Sequence, residues 1–237
     1  MANYQLLDPR EHADTKILEV ASLFQLDRGL LCAAFANEFR ALATDFPIVL
    51  IKDQTTGHFL SAVLLGLSSE NLSCLDTSGR WGDAYQPWSL QRQPFLIANK
   101  EERDGGTTPL VSIDVDHPMV NDQQGLRIFQ DNDSLSAVAE TKITALRSIH
   151  ASAQATNAFV RSVIELELIT GLKIQGRTDR GEEIAISGIY GVDEEALANL
   201  NRDTLFELHQ KGHLELLYLM VTSLNKISSF MRQLNRS

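Results

Sequence analysis

The hydrophobic pattern of this chain changes near residue 130, and this change limits the folds that the chain can adopt. Before that point, apolar residues come in short runs bounded by glycine, proline and polar residues, a pattern typical of strands. Beyond it, apolar residues recur every three or four positions, as one buried helix face requires. The pattern predicts an α+β fold with a single core and one domain over residues 1–237. Residues 1–130 form its antiparallel, sheet-rich half and residues 131–237 its helix-rich half.

Short apolar runs predict strands in the first half. They are residues 3–7, 48–51, 59–65, 72–75, 95–98 and 110–113. Phe35, Phe39 and Leu42 recur at helical spacing and predict a helix over residues 33–44, which Pro47 ends. The segments between these elements predict a hairpin loop over 53–57, an ordered loop over 81–95 and a turn over 99–108.

The second half predicts a long helix at its start. Apolar steps of three and four run from a cap at Ser134 or Ser136 towards Thr170, and Gly171 is the expected C-terminal stop. A straight helix of that length would run ~50 Å. The sequence therefore predicts either a kink near residues 156–157 or two helices that meet there.

The rest of the second half predicts one strand and three helices. Asp193 is expected to cap the first of these helices, because its carboxylate can accept from backbone N–H groups. The predicted elements are a strand over residues 184–190 and helices over residues 193–200, from Asn201 or Asp203 to before Gly212, and over 214–234.

The charge of the chain excludes several kinds of partner. The net charge is −10 and the pI is about 5.0, so the protein repels phosphate backbones and anionic membrane surfaces. No apolar run reaches the ~18 residues that a membrane span needs, and residues 1–10 lack the pattern of a signal peptide. With Cys32 and Cys74 as expected free thiols, we predict a cytoplasmic protein that binds no nucleic acid and does not insert into a membrane.

Known catalytic and cofactor motifs are missing from the sequence. There is no Walker or Rossmann fingerprint and no G-x-S-x-G elbow, so no cofactor is implied by a motif. His209 and His213 have i, i+4 spacing, but Gly212 lies between them at a predicted helix end and no acidic residue completes a zinc-protease motif. This pair is interpreted as two histidines at the boundary between elements.

Asp114, Asp116 and His117 form a candidate metal site. They cluster directly after a predicted strand, and a hard divalent cation prefers carboxylate oxygens. The alternative is a solvent-facing strand end before a turn at Pro118. An enzyme of an unassigned class could use this cluster, with Asp83 as a further acid.

Residues 81–95 concentrate aromatic rings and prolines around one arginine. One interpretation is a preformed aromatic pocket for a small molecule or a peptide terminus, in which Arg92 binds a carboxylate. The alternative is a packed loop that closes the sheet. The candidate ligand-binding residues are Trp81, Asp83, Tyr85, Trp88, Arg92 and Phe95.

In this segment and in several others, the chain resembles the SapC family. The matching stretches, in order, are Phe46-Pro-Ile-Val-Leu-Ile-Lys-Asp, Leu64-Leu-Gly-Leu with Glu70-Asn71-Leu72, Gly79-Arg-Trp81, Tyr85-Gln-Pro87, Arg92-Gln-Pro94-Phe95, Ile113-Asp114 with Asp116, Gly188 with Val192-Asp193-Glu194, and Gly212-His-Leu214 with Ser223-Leu224. The sequence departs from the family pattern at Gln93, where an aromatic residue is usual, and at Gln91, where a basic residue is common.

The resemblance implies a bacterial protein with an accessory role, because the family takes its name from genes associated with surface-layer protein export. It implies no catalytic residues. We therefore expect a cytoplasmic accessory or binding protein whose recognition surface is the 81–95 segment and whose partner is a small molecule or a protein. The alternatives are the enzyme that uses Asp114 and Asp116, and a structural subunit that forms a homodimer through its last helix.

Overall fold

Short strands and a long helix follow one another along the chain. The computed structural model of the protein describes residues 2–18, 29–69, 71–76, 78–101 and 107–236. The strands are β1 (Tyr4–Leu6), β2 (Lys16–Ile17), β3 (Leu31–Ala33), β4 (Ile48–Lys52), β5 (Phe59–Leu64), β6 (Gly66–Ser68), β7 (Asn71–Leu72), β8 (Phe95–Glu101), β9 (Thr107–Asp114), β10 (Val120–Asn121), β11 (Leu126–Arg127), β12 (Ile169–Arg177) and β13 (Glu183–Val192). The helices are α1 (Phe39–Leu42), α2 (Trp88–Gln91), α3 (Ala137–Glu165), α4 (Glu194–Ala198), α5 (Arg202–Gln210), α6 (His213–Ser223) and α7 (Lys226–Arg236).

The chain divides into two compact units, each assembled from separate segments. The first unit comprises residues 1–28, 79–81 and 88–151, and the second comprises residues 29–78, 82–87 and 152–237. Helix α3 contributes its first fifteen residues to one unit and the remainder to the other. The single domain over residues 1–237 that the sequence suggests stays a prediction.

The first unit contains two small antiparallel sheets. One has the strand order β1-β9-β8 and the other the order β10-β2-β11. In the β1-β9-β8 sheet Phe95 lies opposite Ile113, and both are fully buried. The first part of α3 adds the buried side chains of Ala139, Ile143 and Leu146, which lie on one helix face. This burial of apolar surface is what stabilises the unit.

The second unit contains a five-stranded sheet with the order β12-β13-β4-β5-β3 and a separate β6–β7 hairpin. Every pair in the five-stranded sheet is antiparallel. The core includes the fully buried rings of Phe39 and Phe159, which meet edge to face with centroids 5.8 Å apart. The ring of His213 in α6 also meets Phe159 edge to face, at a centroid distance of 5.6 Å.

Two hydroxyls of α3 take the place of an N-cap for the short helical segment before α1. The backbone N–H of Ala36 donates to Thr156 Oγ1 at 3.0 Å, and the N–H of Asn37 donates to Ser152 Oγ at 3.2 Å. Phe35, at the cap position, has no capping side-chain group. Thr156 and Ser152 are buried, so they satisfy amides that water would not reach.

The α+β class predicted from the sequence is confirmed, with antiparallel sheets in the first half and helices in the second. The predicted strands over residues 48–51, 59–65 and 110–113 lie in β4, β5 and β9. The predicted caps are also confirmed. Asp193 accepts from the N–H of Ala196, and Asn201, rather than Asp203, accepts from the N–H of Thr204.

The predicted end of the long helix was wrong. Helix α3 is continuous through residues 156–157 but ends at Glu165, and residues up to Thr170 do not extend it. Glu167 has a left-handed backbone with φ 54°, which turns the chain out of the helix. Gly171 is therefore not a helix stop; it lies in β12, opposite Tyr190 of β13.

Other boundaries also differ from the sequence prediction. Residues 33–44 are not one helix, because residues 31–33 pair with β5 and only a short helical segment and α1 follow. The predicted helix over 214–234 is two helices, α6 and α7, which break at Leu224 and Asn225. The predicted loop over 81–95 contains α2, and β7 ends at Leu72 rather than Leu75. Half of the predicted turn over 99–108, residues 102–106, lies outside the described residues, and the rest belongs to β8 and β9.

Candidate functional site

A cleft in the first unit lies between α2 and the first turns of α3. Its volume is about 420 Å³. Positions 137, 141, 144 and 148 are spaced by four, three and four residues, which puts them on one face of α3. The residues that line the cleft are Trp88, Gln91, Ala137, Glu140, Thr141, Thr144, Ala145 and Ser148.

The lining of this cleft is suited to a polar ligand. It combines one large aromatic side chain with an amide, a carboxylate and three hydroxyls. The hydroxyl of Thr141 donates to the carbonyl of Ala137 at 2.9 Å, and its oxygen keeps the capacity to accept a further hydrogen bond. Because this lining offers several hydrogen-bonding groups beside an indole, the cleft favours a ligand with several hydroxyl or amide groups.

Lys142 anchors the end of α2. Its Nζ donates to the carbonyl of Gln93 at 2.8 Å and to that of Gln91 at 3.3 Å, and the side chain is only 5% exposed. Burial lowers the pKa of Lys142 to about 8, because the ammonium loses its hydration. Sequence reasoning missed this residue. The available signal was a lysine between Ala139 and Leu146, on the apolar face of a predicted helix.

Arg92 closes the turn that leads into β8. Its Nη1 donates to the carbonyl of Phe95 at 2.6 Å, across a cis Gln93–Pro94 peptide. Burial lowers the pKa of Arg92, although interaction with Tyr4 opposes that shift. Phe95 is fully buried in the core of the first unit. Both residues therefore shape the segment, and the binding roles predicted for them stay predictions.

The remaining candidate ligand-binding residues are divided between the units. Trp81 belongs with Trp88 to the first unit, whereas Asp83 and Tyr85 belong to the second. The Tyr85 hydroxyl donates to Glu38 Oε2 at 3.3 Å, and burial together with that carboxylate raises the pKa of Tyr85. Asp83 is exposed. Of the six predicted residues, Trp88 alone lines the cleft described above.

The candidate metal ligands form a hydrogen-bonded turn after β9. Asp114 Oδ1 accepts from the N–H of Asn3 at 2.8 Å and from the N–H of Asp116 at 3.3 Å. His117 Nδ1 accepts from the N–H of Met119 at 3.2 Å, and burial lowers the pKa of His117 despite the nearby charge of Asp114. Within the described ranges, no group of three His, Cys, Asp or Glu residues is arranged to hold a metal ion. The metal site stays a prediction.

No disulfide joins the two cysteines; Cys32 is partly exposed and Cys74 is buried. Burial raises the pKa of the Cys74 thiol to about 12, because the thiolate would lose its hydration. At neutral pH Cys74 is therefore a thiol, which is a weak nucleophile.

A family model described as SapC matches residues 7–230 of the 237-residue chain. Comparison with curated proteins and comparison with solved structures find no match. In the part of the chain that the structure describes, no helix is long and apolar enough to cross a membrane.

Proposed function

We propose that this protein, which belongs to the SapC family, is a cytoplasmic accessory protein that binds a small polar ligand. The cleft between α2 and α3 is the proposed recognition site, with Trp88 as its contribution from the 81–95 segment. Cys32 and Cys74 are not joined by a disulfide, which suits a reducing compartment and supports the proposed cytoplasmic location.

The observation that carries this proposal is the position of Trp88 beside a polar stripe of α3. Thr141, Thr144 and Ser148 present hydroxyls to the same cavity, and Glu140 adds a carboxylate. An indole next to several hydrogen-bonding groups can cover the apolar face of a ligand while its polar edges are bound. A disaccharide or a blocked dipeptide has this chemistry and the size of the cleft.

The fluorescence of Trp88 provides the test. The chain has two tryptophans, so in a W81F background Trp88 is the remaining reporter. Titration with a panel of neutral disaccharides and blocked dipeptides should produce a saturable change in emission with at least one probe. Because a neutral hydrogen bond contributes about 0.5–1.5 kcal/mol, T144V and S148A should each weaken that binding roughly 2- to 12-fold.

Thr222→Val is the matched control, because Thr222 is exposed on α6 of the second unit and does not line the cleft. It should leave binding unchanged. The proposal fails if no probe produces a saturable change, or if T144V and S148A bind as well as the parent protein at equal thermal stability.

The two alternative functions stay predictions with tests of their own. Elemental analysis of the purified protein, with D114N for comparison, tests the metal-dependent enzyme. Light scattering over a range of protein concentrations tests the homodimeric structural subunit.

A further inference from the structure

A second cavity lies in the second unit, between the β4–β5 hairpin and the later turns of α3. Its volume is about 680 Å³, within the usual range for small-ligand pockets. The residues that line it are Gly57, His58, Phe59, Leu60, Asn157, Val160, Arg161, Ile164 and Glu165. We call this cavity the hairpin groove.

The hairpin side of the groove is held in place by its own hydrogen bonds. Asp53 Oδ1 accepts from the backbone N–H groups of Thr55 and Thr56 at 2.9 and 2.7 Å, and the Asp53 N–H donates to the carbonyl of His58 at 2.8 Å. The ring of Phe59 meets Tyr190 edge to face with centroids 4.9 Å apart. This wall therefore exists before any ligand binds, which lowers the entropic cost of binding.

Apolar residues make up part of the lining of the groove. Val160 and Ile164 are one turn apart on α3, and Phe59 and Leu60 of β5 line the cavity opposite them. Leu60 is 45% exposed. A ligand that covers Leu60 would remove this apolar surface from water, which is favourable.

Arg161 and Glu165 line the groove and carry opposite charges. Arg161 and Glu165 are exposed and lie one turn apart on α3, yet the structure shows no ion pair between them within the residues it describes. An acid before a base is the more favourable i, i+4 order on a helix, and here the order is reversed. Each charge is thus available to a ligand.

Arg161 and Glu165 lie close enough on α3 for one short ligand to reach both side chains. Side chains four residues apart on a helix have Cβ atoms about 5–6 Å apart. Two extended residues span at most about 7 Å, so the ammonium and carboxylate of an unblocked dipeptide are separated by a similar distance. A zwitterion also adds no net charge to a protein of charge −10, whereas a simple anion would be repelled.

We infer that the hairpin groove binds an unblocked dipeptide with apolar side chains. Arg161 binds the carboxylate and Glu165 binds the ammonium. The apolar side chains of the peptide lie on Leu60, Val160 and Ile164. This site is separate from the cleft of the first unit and does not depend on it.

Leucyl-leucine is the probe, and amide shifts in ¹H–¹⁵N spectra of the full chain are the readout. Saturable shifts should appear at residues 57–60 and 157–165. R161Q should weaken binding of leucyl-leucine about 10-fold but leave binding of its C-terminal amide unchanged. E165Q should weaken leucyl-leucine to a similar extent and leave N-acetyl-leucyl-leucine unchanged.

Arg202→Gln and Glu195→Gln are charge-matched controls in the same unit, outside the groove, and should bind like the parent protein. The inference is overturned if leucyl-leucine causes no shifts in the groove at millimolar concentration. It is also overturned if R161Q and E165Q bind normally, or if both blocked peptides bind the parent protein as tightly as the zwitterion does. Groove shifts that follow protein concentration without peptide would identify a second copy of the chain as the occupant and likewise reject it.

Discussion

Replacing Lys142 by methionine should change how the stability of the first unit depends on pH. Lys142 is buried and donates to two backbone carbonyls, and its pKa falls from 10.5 to about 8 on folding. Between these two values the unfolded chain holds a proton that the folded chain has released. The free energy of unfolding of the parent protein therefore rises with pH across this window, whereas K142M lacks the contribution.

The size of this effect follows from the pKa difference. The fall of the Lys142 pKa from 10.5 to about 8 corresponds to about 3 kcal/mol at most, and at pH 9.5 about 2 kcal/mol of it should be present. At pH 7 the variant leaves two carbonyls without a donor, at about 1–3 kcal/mol each, but also removes a buried ammonium that costs about 3 kcal/mol. The two terms nearly cancel, so K142M should differ little from the parent protein at pH 7.

Urea unfolding followed by tryptophan fluorescence measures this difference, because Trp81 and Trp88 both belong to the first unit. From pH 7 to pH 9.5 the free energy of unfolding of the parent protein should rise by about 2 kcal/mol relative to that of K142M. Lys173→Met, at an exposed lysine, controls for the lost charge and should track the parent protein. Equal pH dependence of K142M and the parent protein would refute the assigned burial and pKa of Lys142.

Three further substitutions test the packing of the units. Thr156→Val removes the acceptor of a buried backbone N–H, so the free energy of unfolding should fall by about 2 kcal/mol and the melting temperature by roughly 4–8 °C. Thr222→Val, at an exposed site, should not lower the melting temperature in this way. Equal losses in the two variants would contradict the capping role of Thr156. Burial lowers the pKa of His213, and its Nδ1 has no hydrogen-bond partner within the described residues. As pH falls from about 6.5 to the lower folded pKa, the unfolded chain binds a proton at this residue that the folded chain does not, so the parent protein should lose stability. His213→Leu should flatten this loss in thermal melts, while His209→Leu, at an exposed residue, should keep it; an unchanged profile in His213→Leu would contradict the burial. Gly125→Ala should lower the free energy of unfolding in urea by more than about 2 kcal/mol, because Gly125 has φ +103° and the new Cβ would collide with a backbone carbonyl of β2. A substitution without effect on stability would refute that packing.

The candidate site was only partly predictable from the sequence. The density of aromatic residues marked the 81–95 segment, and Trp88 of that segment lines the cleft. Thr144 and Ser148 gave no signal, because their relation to Trp88 arises when residues more than fifty positions apart pack together. Lys142 carried a detectable signal, a charged residue on an apolar helix face, but its partners are backbone carbonyls that no sequence pattern identifies.

Local chemistry determined much of the fold from the sequence alone. The β4–β5 hairpin follows from two apolar runs around a polar loop that ends in Gly57. The caps at Asp193 and Asn201 follow from side chains that accept from amides three residues away. These features depend on neighbours within a few residues, so the sequence contains all that they need.

Tertiary structure decided where one element gives way to the next. Apolar steps of three and four run past the end of α3, and only pairing with β13 makes residues 169–177 a strand. In the same way, pairing with β5 makes residues 31–33 a strand ahead of a predicted helix. A short apolar segment suits a helix face and a sheet face equally well, and the partner that buries it selects between them.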